Sequence, residues 1–280
     1  MIFTGEPPAS SVTLLGTNVR YLRLGNGPPL VLIHGLGAAS FVWRYNIEFL
    51  AGKFTVYALD MPGHGGSGGS TVGYNLASAV SHLDSFFDHL SLRTASVVGS
   101  SAGGLAALRY TLDHPARVHK LVLVDSAGLG KELALFLRLM SLPLLGEFAA
   151  RPSLRNINAL LRQLFYNQDR IPKGLAQHML TIRRLPGRKA ALLQLLRSGA
   201  WVGGQKDSII QTVDLPLVKA KTFILWGRDY KLIPVKHGLM AAQAIPGATI
   251  NIFDQCGHWP QMEKPEEFNQ VLSEFLLDPS

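Results

Sequence analysis

The chain has 280 residues, 47% of them hydrophobic, enough for one large core carrying an insertion or for two small domains, and this places it among globular proteins. Its single cysteine, Cys256, has no internal disulfide partner, so a reducing cytoplasm is compatible with it, and lone cysteines behave as small buried hydrophobes more often than as nucleophiles. Lysine and arginine outnumber aspartate and glutamate by 27 to 19, with the excess concentrated between residues 131 and 206, where thirteen basic residues face three acidic ones.

Residues 1–12 lack a basic start followed by an apolar stretch, so no secretory leader is expected. Segments 12–15 and 19–24 read as an opening hairpin, and 30–33, 55–59, 95–98 and 120–124 are short apolar runs of the buried-strand type. Helical patterns over 77–90 and 102–114 lie between them, the second stopped by Pro115. The most apolar stretch, 133–145, is broken by Arg138 and Pro143, so no membrane span is expected. Through the basic segment, charges alternate with apolar residues at helical spacing, as in Leu160-Leu161-Arg162-Gln163-Leu164-Phe165. Solvated faces of amphipathic helices are the first reading; attraction of anionic substrates or docking on an anionic surface are sharper ones, and no nucleic-acid motif is visible. Strand signals resume at 223–226 and 249–253, separated by a helix over 237–244. Strand–helix repetition of this kind implies an α/β fold with a mostly parallel sheet flanked by helices. Glycines at 128, 130, 203 and 204 mark hinges, so residues 1–130 and 207–280 are expected to form the core domain and residues 131–206 an inserted helical cap.

The chemistry centres on Gly99-Ser100-Ser101-Ala102-Gly103, which follows an apolar run and opens a helix. A serine on a sharp strand-to-helix turn projects its hydroxyl clear of the sheet, and small neighbours permit the strained backbone. The helix behind it aims free N–H groups and a positive dipole end at the same spot, so the Ala102 amide is a candidate oxyanion donor. His34-Gly35-Leu36-Gly37 follows another strand and can offer a second donor from the Leu36 amide, while His34 braces the loop. His258, just after strand 249–253, is the histidine placed to accept the serine proton; the others fall in helical or connecting stretches. No zinc-binding spacing occurs and no cofactor is expected.

Together, His34-Gly35, Asp60-Met61-Pro62-Gly63-His64-Gly65, the serine pentapeptide, Trp226-Gly227-Arg228-Asp229 and Gly257-His258 resemble the α/β-hydrolase superfamily, with serine, acid and histidine in that family's chain order. The resemblance implies a serine hydrolase whose Ser101, His258 and Asp229 form a catalytic triad, with Leu36 and Ala102 as the oxyanion hole. Asp60 and His64 take structural roles at a turn. The acid departs from the pattern: relatives carry it as Gly-x-x-Asp, and that slot is Tyr230, so Asp229, one position earlier, is favoured over Asp125 at the end of segment 120–124.

The last thirty residues, from Phe253 through His258-Trp259-Pro260-Gln261 to Glu267-Phe268-Asn269, are similar to hydrolases that cleave carbon–carbon bonds of acidic ring-fission products, with Trp259 as a substrate-binding residue. A basic cap suits such a substrate, with Arg183, Arg184 or Arg188 as candidate contacts. Against this, that group carries a longer glycine-rich oxyanion loop and an asparagine before the nucleophile, where this chain has Ser100. A carboxylesterase acting on a small-molecule ester or related carbonyl compound therefore ranks first and carbon–carbon cleavage second. A non-catalytic ligand-binding role is a third reading. Dehalogenases and epoxide hydrolases carry aspartate at the elbow, which Ser101 excludes by analogy. A cytoplasmic location and room for a homodimer complete these expectations.

Overall fold

The computed structural model describes residues 8–279; residues 1–7, part of the stretch read for a leader, lie outside it. β1 (Ala9–Leu14) and β2 (Thr17–Leu24) form the antiparallel opening hairpin. Then come β3 (Pro29–Ile33), α1 (Ile47–Ala51), β4 (Thr55–Leu59), α2 (Leu76–His89), β5 (Ala95–Ser100), α3 (Ala102–Asp113) and β6 (Val118–Val124). Five helices follow, α4 (Leu135–Met140), α5 (Leu145–Ala149), α6 (Leu154–Leu164), α7 (Leu175–Arg183) and α8 (Arg188–Gly199), closed by a small hairpin of β7 (Ala200–Trp201) and β8 (Gly204–Gln205). β9 (Lys221–Gly227), α9 (Lys236–Ala244), β10 (Thr249–Phe253), α10 (Pro260–Glu263) and α11 (Pro265–Leu277) complete the chain.

Eight strands make one sheet in the order β1-β2-β4-β3-β5-β6-β9-β10, parallel from β4 to β10 with the antiparallel hairpin at one edge. Central strands covered on both faces must be apolar throughout, and Leu30, Val31, Leu32, Ile33, Leu121, Val122, Leu123 and Val124 are all fully buried. Local signals agree with this frame: Asn75 and Ser78 form a reciprocal capping box that starts α2, worth about 1 kcal/mol. At the other end, the buried Lys120 ammonium donates to the carbonyls of Phe275, Leu276 and Asp278, fastening β6 to the close of α11.

β4 lies on one side of β3 and β5 on the other. The chain therefore reverses direction across β3, and a crevice opens at the carboxyl ends of β3 and β5, where a parallel sheet binds ligands. The helices α4 to α8 stand between β6 and β9 in sequence and border that crevice. The two connecting stretches are clasped together by Gln205: its side-chain oxygen accepts from the Gly128 amide at 2.8 Å, its side-chain nitrogen donates to the Gly130 carbonyl at 2.8 Å, and its backbone N–H reaches the Lys131 carbonyl at 2.9 Å. The stretches read as hinges from their glycines are thus pinned to each other. Among the described residues, no helix is long and apolar enough to cross a membrane.

Candidate active site

Ser101 sits between β5 and α3 with φ 56° and ψ −119°, a left-handed conformation that a side chain tolerates only where its surroundings enforce it. The enforcement is visible. The Ser101 N–H donates to the Val124 carbonyl at 2.9 Å, and its carbonyl accepts from Leu105 and Ala127 at 3.1 Å each. Glycines let the backbones close in: a Cβ on Gly103 would meet the Ile33 and His34 carbonyls at 2.5 Å, one on Gly35 would meet the Ser101 Cβ at 2.8 Å, and one on Gly99 would strike the Gly103 carbonyl. Ser101 is consequently presented into the crevice, with the first amides of α3 and the Gly35-Leu36-Gly37 turn on its flanks. That turn is braced as expected. Met61 N–H donates to His34 Nε2 at 2.9 Å, which leaves Nδ1 as the donor to the Gly35 carbonyl at 2.8 Å. Asp60 accepts from Arg20 Nη1 (2.9 Å), Ser40 N–H (2.7 Å) and Gly66 N–H (2.8 Å). Burial raises the Asp60 carboxyl, yet His34 together with these donors holds it below the usual carboxylate range.

His258 reaches the same crevice from the loop after β10. Its N–H donates to the Leu164 carbonyl at 2.6 Å, and the Glu263 carboxylate gathers the Gly257, Tyr166 and Asn167 amides, so the end of α6 and the histidine loop are held as one piece. Its ring stacks on Tyr230 with centroids 4.2 Å apart and planes 9° from parallel. Desolvation pulls the His258 pKa down to about 3, so the imidazole is neutral near neutral pH and able to accept a proton. Nδ1 is sealed from water without a hydrogen-bond partner. The Ser101 side chain engages the Tyr230 phenol rather than His258 among the described residues.

The two candidate acids occupy unlike places. Asp229 is half-buried, donates its backbone N–H to the Cys256 carbonyl at 3.0 Å, makes no hydrogen bond to His258 and does not border the crevice. Asp125 is fully buried at the end of β6; Oδ1 accepts from the Gly227 N–H at 3.0 Å, Oδ2 has no partner, and burial pushes the carboxyl well above its ordinary range.

The crevice is a cavity of about 840 Å³, walled on the helical side by apolar residues that include Phe136, Leu160, Leu164, Leu192 and Leu196. Trp259 is buried at its edge, meeting Phe165 and Phe41 edge-on at 5.8 and 6.2 Å. Of the three arginines considered from sequence, Arg183 alone borders this cavity. A Cβ on Gly37 would lie 3.1 Å from its Nη2; its Nε is buried and unpartnered, and desolvation lowers its pKa to about 10. Arg188 is spent on the Gly65 and Ser67 carbonyls, and Arg184 is exposed where α7 ends. Among the described residues no group of three or more histidine, cysteine, aspartate or glutamate side chains is arranged to hold a metal ion.

A family model described as alpha/beta hydrolase fold matches residues 28–265. The chain belongs to this family. Over 262 residues it is 33% identical to the dihydrolipoyllysine-residue acetyltransferase component of an acetoin cleaving system from Cupriavidus necator, covering 93% of this chain and 67% of that protein. It is 31% identical over 270 residues to the 2-hydroxy-6-oxo-6-phenylhexa-2,4-dienoate hydrolase of Comamonas testosteroni, covering 92% of this chain and 91% of that protein. Among solved structures, a meta-cleavage product hydrolase from Pseudomonas fluorescens IP01 aligns with a TM-score of 0.84 at 26% identity, across 97% of this chain and 98% of that one.

Within this α/β hydrolase, Ser101, His258, Leu36, Ala102 and Trp259 come together around one cavity, and Asp229 does not join them. Three features of the site escaped sequence reasoning. The Tyr230 ring stacks on the imidazole, Asp125 is left with an orphaned oxygen, and Glu263 ties the histidine loop to α6. The one signal that could have found the first was the tyrosine standing in the usual acid slot.

Proposed function

We propose that this α/β hydrolase uses Ser101 to cleave the acyl bond of a largely apolar carbonyl compound, an ester foremost, with residues 131–206 as the cap that roofs its pocket. The observation that carries the reading is the strained Ser101 turn opening into an apolar cavity shared with a neutral, buried His258. Ser101 Oγ attacks the carbonyl carbon as its proton passes to His258 Nε2, and the carbonyl π pair moves onto oxygen, held by the Leu36 and Ala102 amides. Collapse returns that pair, the imidazolium proton goes to the departing alkoxide, and water resolves the acyl-enzyme by the same route. One oxyanion-hole donor removed from such a site costs roughly 3–4 kcal/mol. This sequence of steps calls on no cofactor.

A second reading, hydrolysis of a carbon–carbon bond in an acidic dienoate, is favoured by Arg183 in the cavity wall and by likeness to the Comamonas dienoate hydrolase. A guanidinium beside the oxyanion turn can take a substrate carboxylate in two parallel hydrogen bonds. Initial rates on a p-nitrophenyl ester series beside a ring-fission dienoate, for wild type and Ser101→Ala, test both. Ester turnover that disappears in Ser101→Ala is expected; a strong preference for the dienoate moves the second reading to first place. No serine-dependent turnover of either would favour a ligand-binding role.

A further inference from the structure

We infer that Asp125, at the end of β6, rather than Asp229 is the acid partner of His258, with Tyr230 as the positioning residue that holds the imidazole. The inference rests on the serine-hydrolase reading and concerns the group behind the base. Two buried polar atoms in this cluster lack partners, Asp125 Oδ2 and His258 Nδ1, and they are complementary, an acceptor and the nitrogen that carries the ring proton in the tautomer whose Nε2 accepts from serine. Native proteins seldom leave such atoms orphaned, because each costs about 1–3 kcal/mol.

The backbone brings both residues to one place. Asp125 Oδ1 takes the Gly227 N–H, and Gly227 abuts the Gly257 carbonyl so tightly that no Cβ could fit, which puts the ends of β6 and β9 against the residue preceding His258. Tyr230 lies on the imidazole face and interacts electrostatically with Asp125. It thereby fills the slot where a carboxylate is expected and fixes the ring plane. The ionisable groups facing Asp125 are Tyr230, Cys256 and Glu263, none of them cationic, so an imidazolium at His258 supplies the missing counter-charge. When Ser101 gives its proton to Nε2, the Nδ1–H of the charged ring donates to Oδ2; no proton leaves the ring toward the acid. Asp229, half-buried and outside the cavity lining, has no such complement.

Asp125→Asn is an informative variant because it keeps an oxygen to accept from Gly227 while removing the anion. In Asp125→Asn, kcat should fall on the order of 10³- to 10⁴-fold with KM nearly unchanged, whereas Asp229→Asn stays within about twofold of wild type. A readout that a structural role would not move is the proton NMR spectrum of a boronic-acid adduct at Ser101. The far-downfield Nδ1–H resonance of the charged imidazole should persist in Asp229→Asn and vanish in Asp125→Asn. Should Asp125→Asn fail to fold, loss of that resonance in Asp229→Asn would still overturn the assignment. Wild-type kcat in folded Asp125→Asn would overturn it as well. Fluorophosphonate labelling separates the two levels: a labelled Ser101 with an undiminished Asp125→Asn defeats this inference alone, while an unlabelled Ser101 removes the serine-hydrolase reading beneath it.

Discussion

The carboxyl ends of the central strands and the helical stretch from α4 to α8 border the same cavity, yet they are built to opposite standards. On the sheet side, Gly99 and Gly103 are hemmed in by backbone, Gly35 by the Ser101 Cβ, and Ser101 is held in a strained turn. On the helical side, the turn glycines Gly174 and Gly187 have positive φ with open space around them, and large apolar side chains stand in solvent, Leu144 at 82% and Phe148 at 64% exposure. The contrast teaches where tolerance lies. Chemistry at the strand ends depends on placement to a fraction of an ångström, whereas the helical wall can vary its residues and so alter what it admits.

The largest effect expected is at the nucleophile: Ser101→Ala should reduce kcat by on the order of 10⁶-fold without altering the thermal midpoint, measured by ester turnover and calorimetry. Next, Gly103→Ala should cost about 3 kcal/mol of unfolding free energy in urea titration, because its methyl meets the Ile33 and His34 carbonyls at 2.5 Å. Arg183→Met should raise KM for a carboxylate-bearing substrate by about 10- to 100-fold and leave neutral esters unaffected, while raising the thermal midpoint by removing an uncompensated charge. Equal loss on both substrate types would break the distinction drawn between wall and chemistry.

Acidification provides a fourth test. His258 and His64 both have pKa values lowered from 6.5 to about 3, chiefly by burial. Below pH 6.5 the unfolded chain therefore binds protons that the folded chain does not, so these groups cost stability progressively as pH falls from 6.5 toward 3. The midpoint of urea unfolding should shift downward through that window, and His258→Asn should flatten the shift. The smallest effect is at the helical turn: Gly187→Ala puts a side chain at φ 79° with nothing to strike, so it should cost only about 1–2 kcal/mol. A Gly187→Ala penalty as large as that of Gly103→Ala would erase the proposed difference between the two regions.

Much of this was readable from the chain because central parallel strands must be apolar on both faces; segments 55–59 and 249–253 coincide with β4 and β10, and the turn at Ser101 announces itself by its small neighbours. The acid was not. Asp229 is adjacent in sequence to the expected slot, but both positions fall in the turn after β9, where no periodicity tells which side chain borders the cavity; Tyr230 does, buried, and Asp229, half-buried, does not. The strands β6, β9 and β10, which precede Asp125, the Tyr230 turn and the His258 loop, are neighbours only through the order of the sheet, which no local motif encodes. Likewise Arg183, Arg184 and Arg188 are alike on a helical pattern until tertiary packing decides which one borders the cavity. The Gln205 clasp joins residues 75 and 77 positions apart and leaves no periodic trace.

The central claim, that Ser101 is an activated nucleophile, is tested most directly by intact-mass analysis after exposure to a fluorophosphonate, with the modified residue mapped by proteolysis. A single covalent adduct on Ser101, abolished in His258→Ala although the serine remains, is the predicted result. No adduct on the folded protein, or labelling that persists undiminished without His258, would contradict the account.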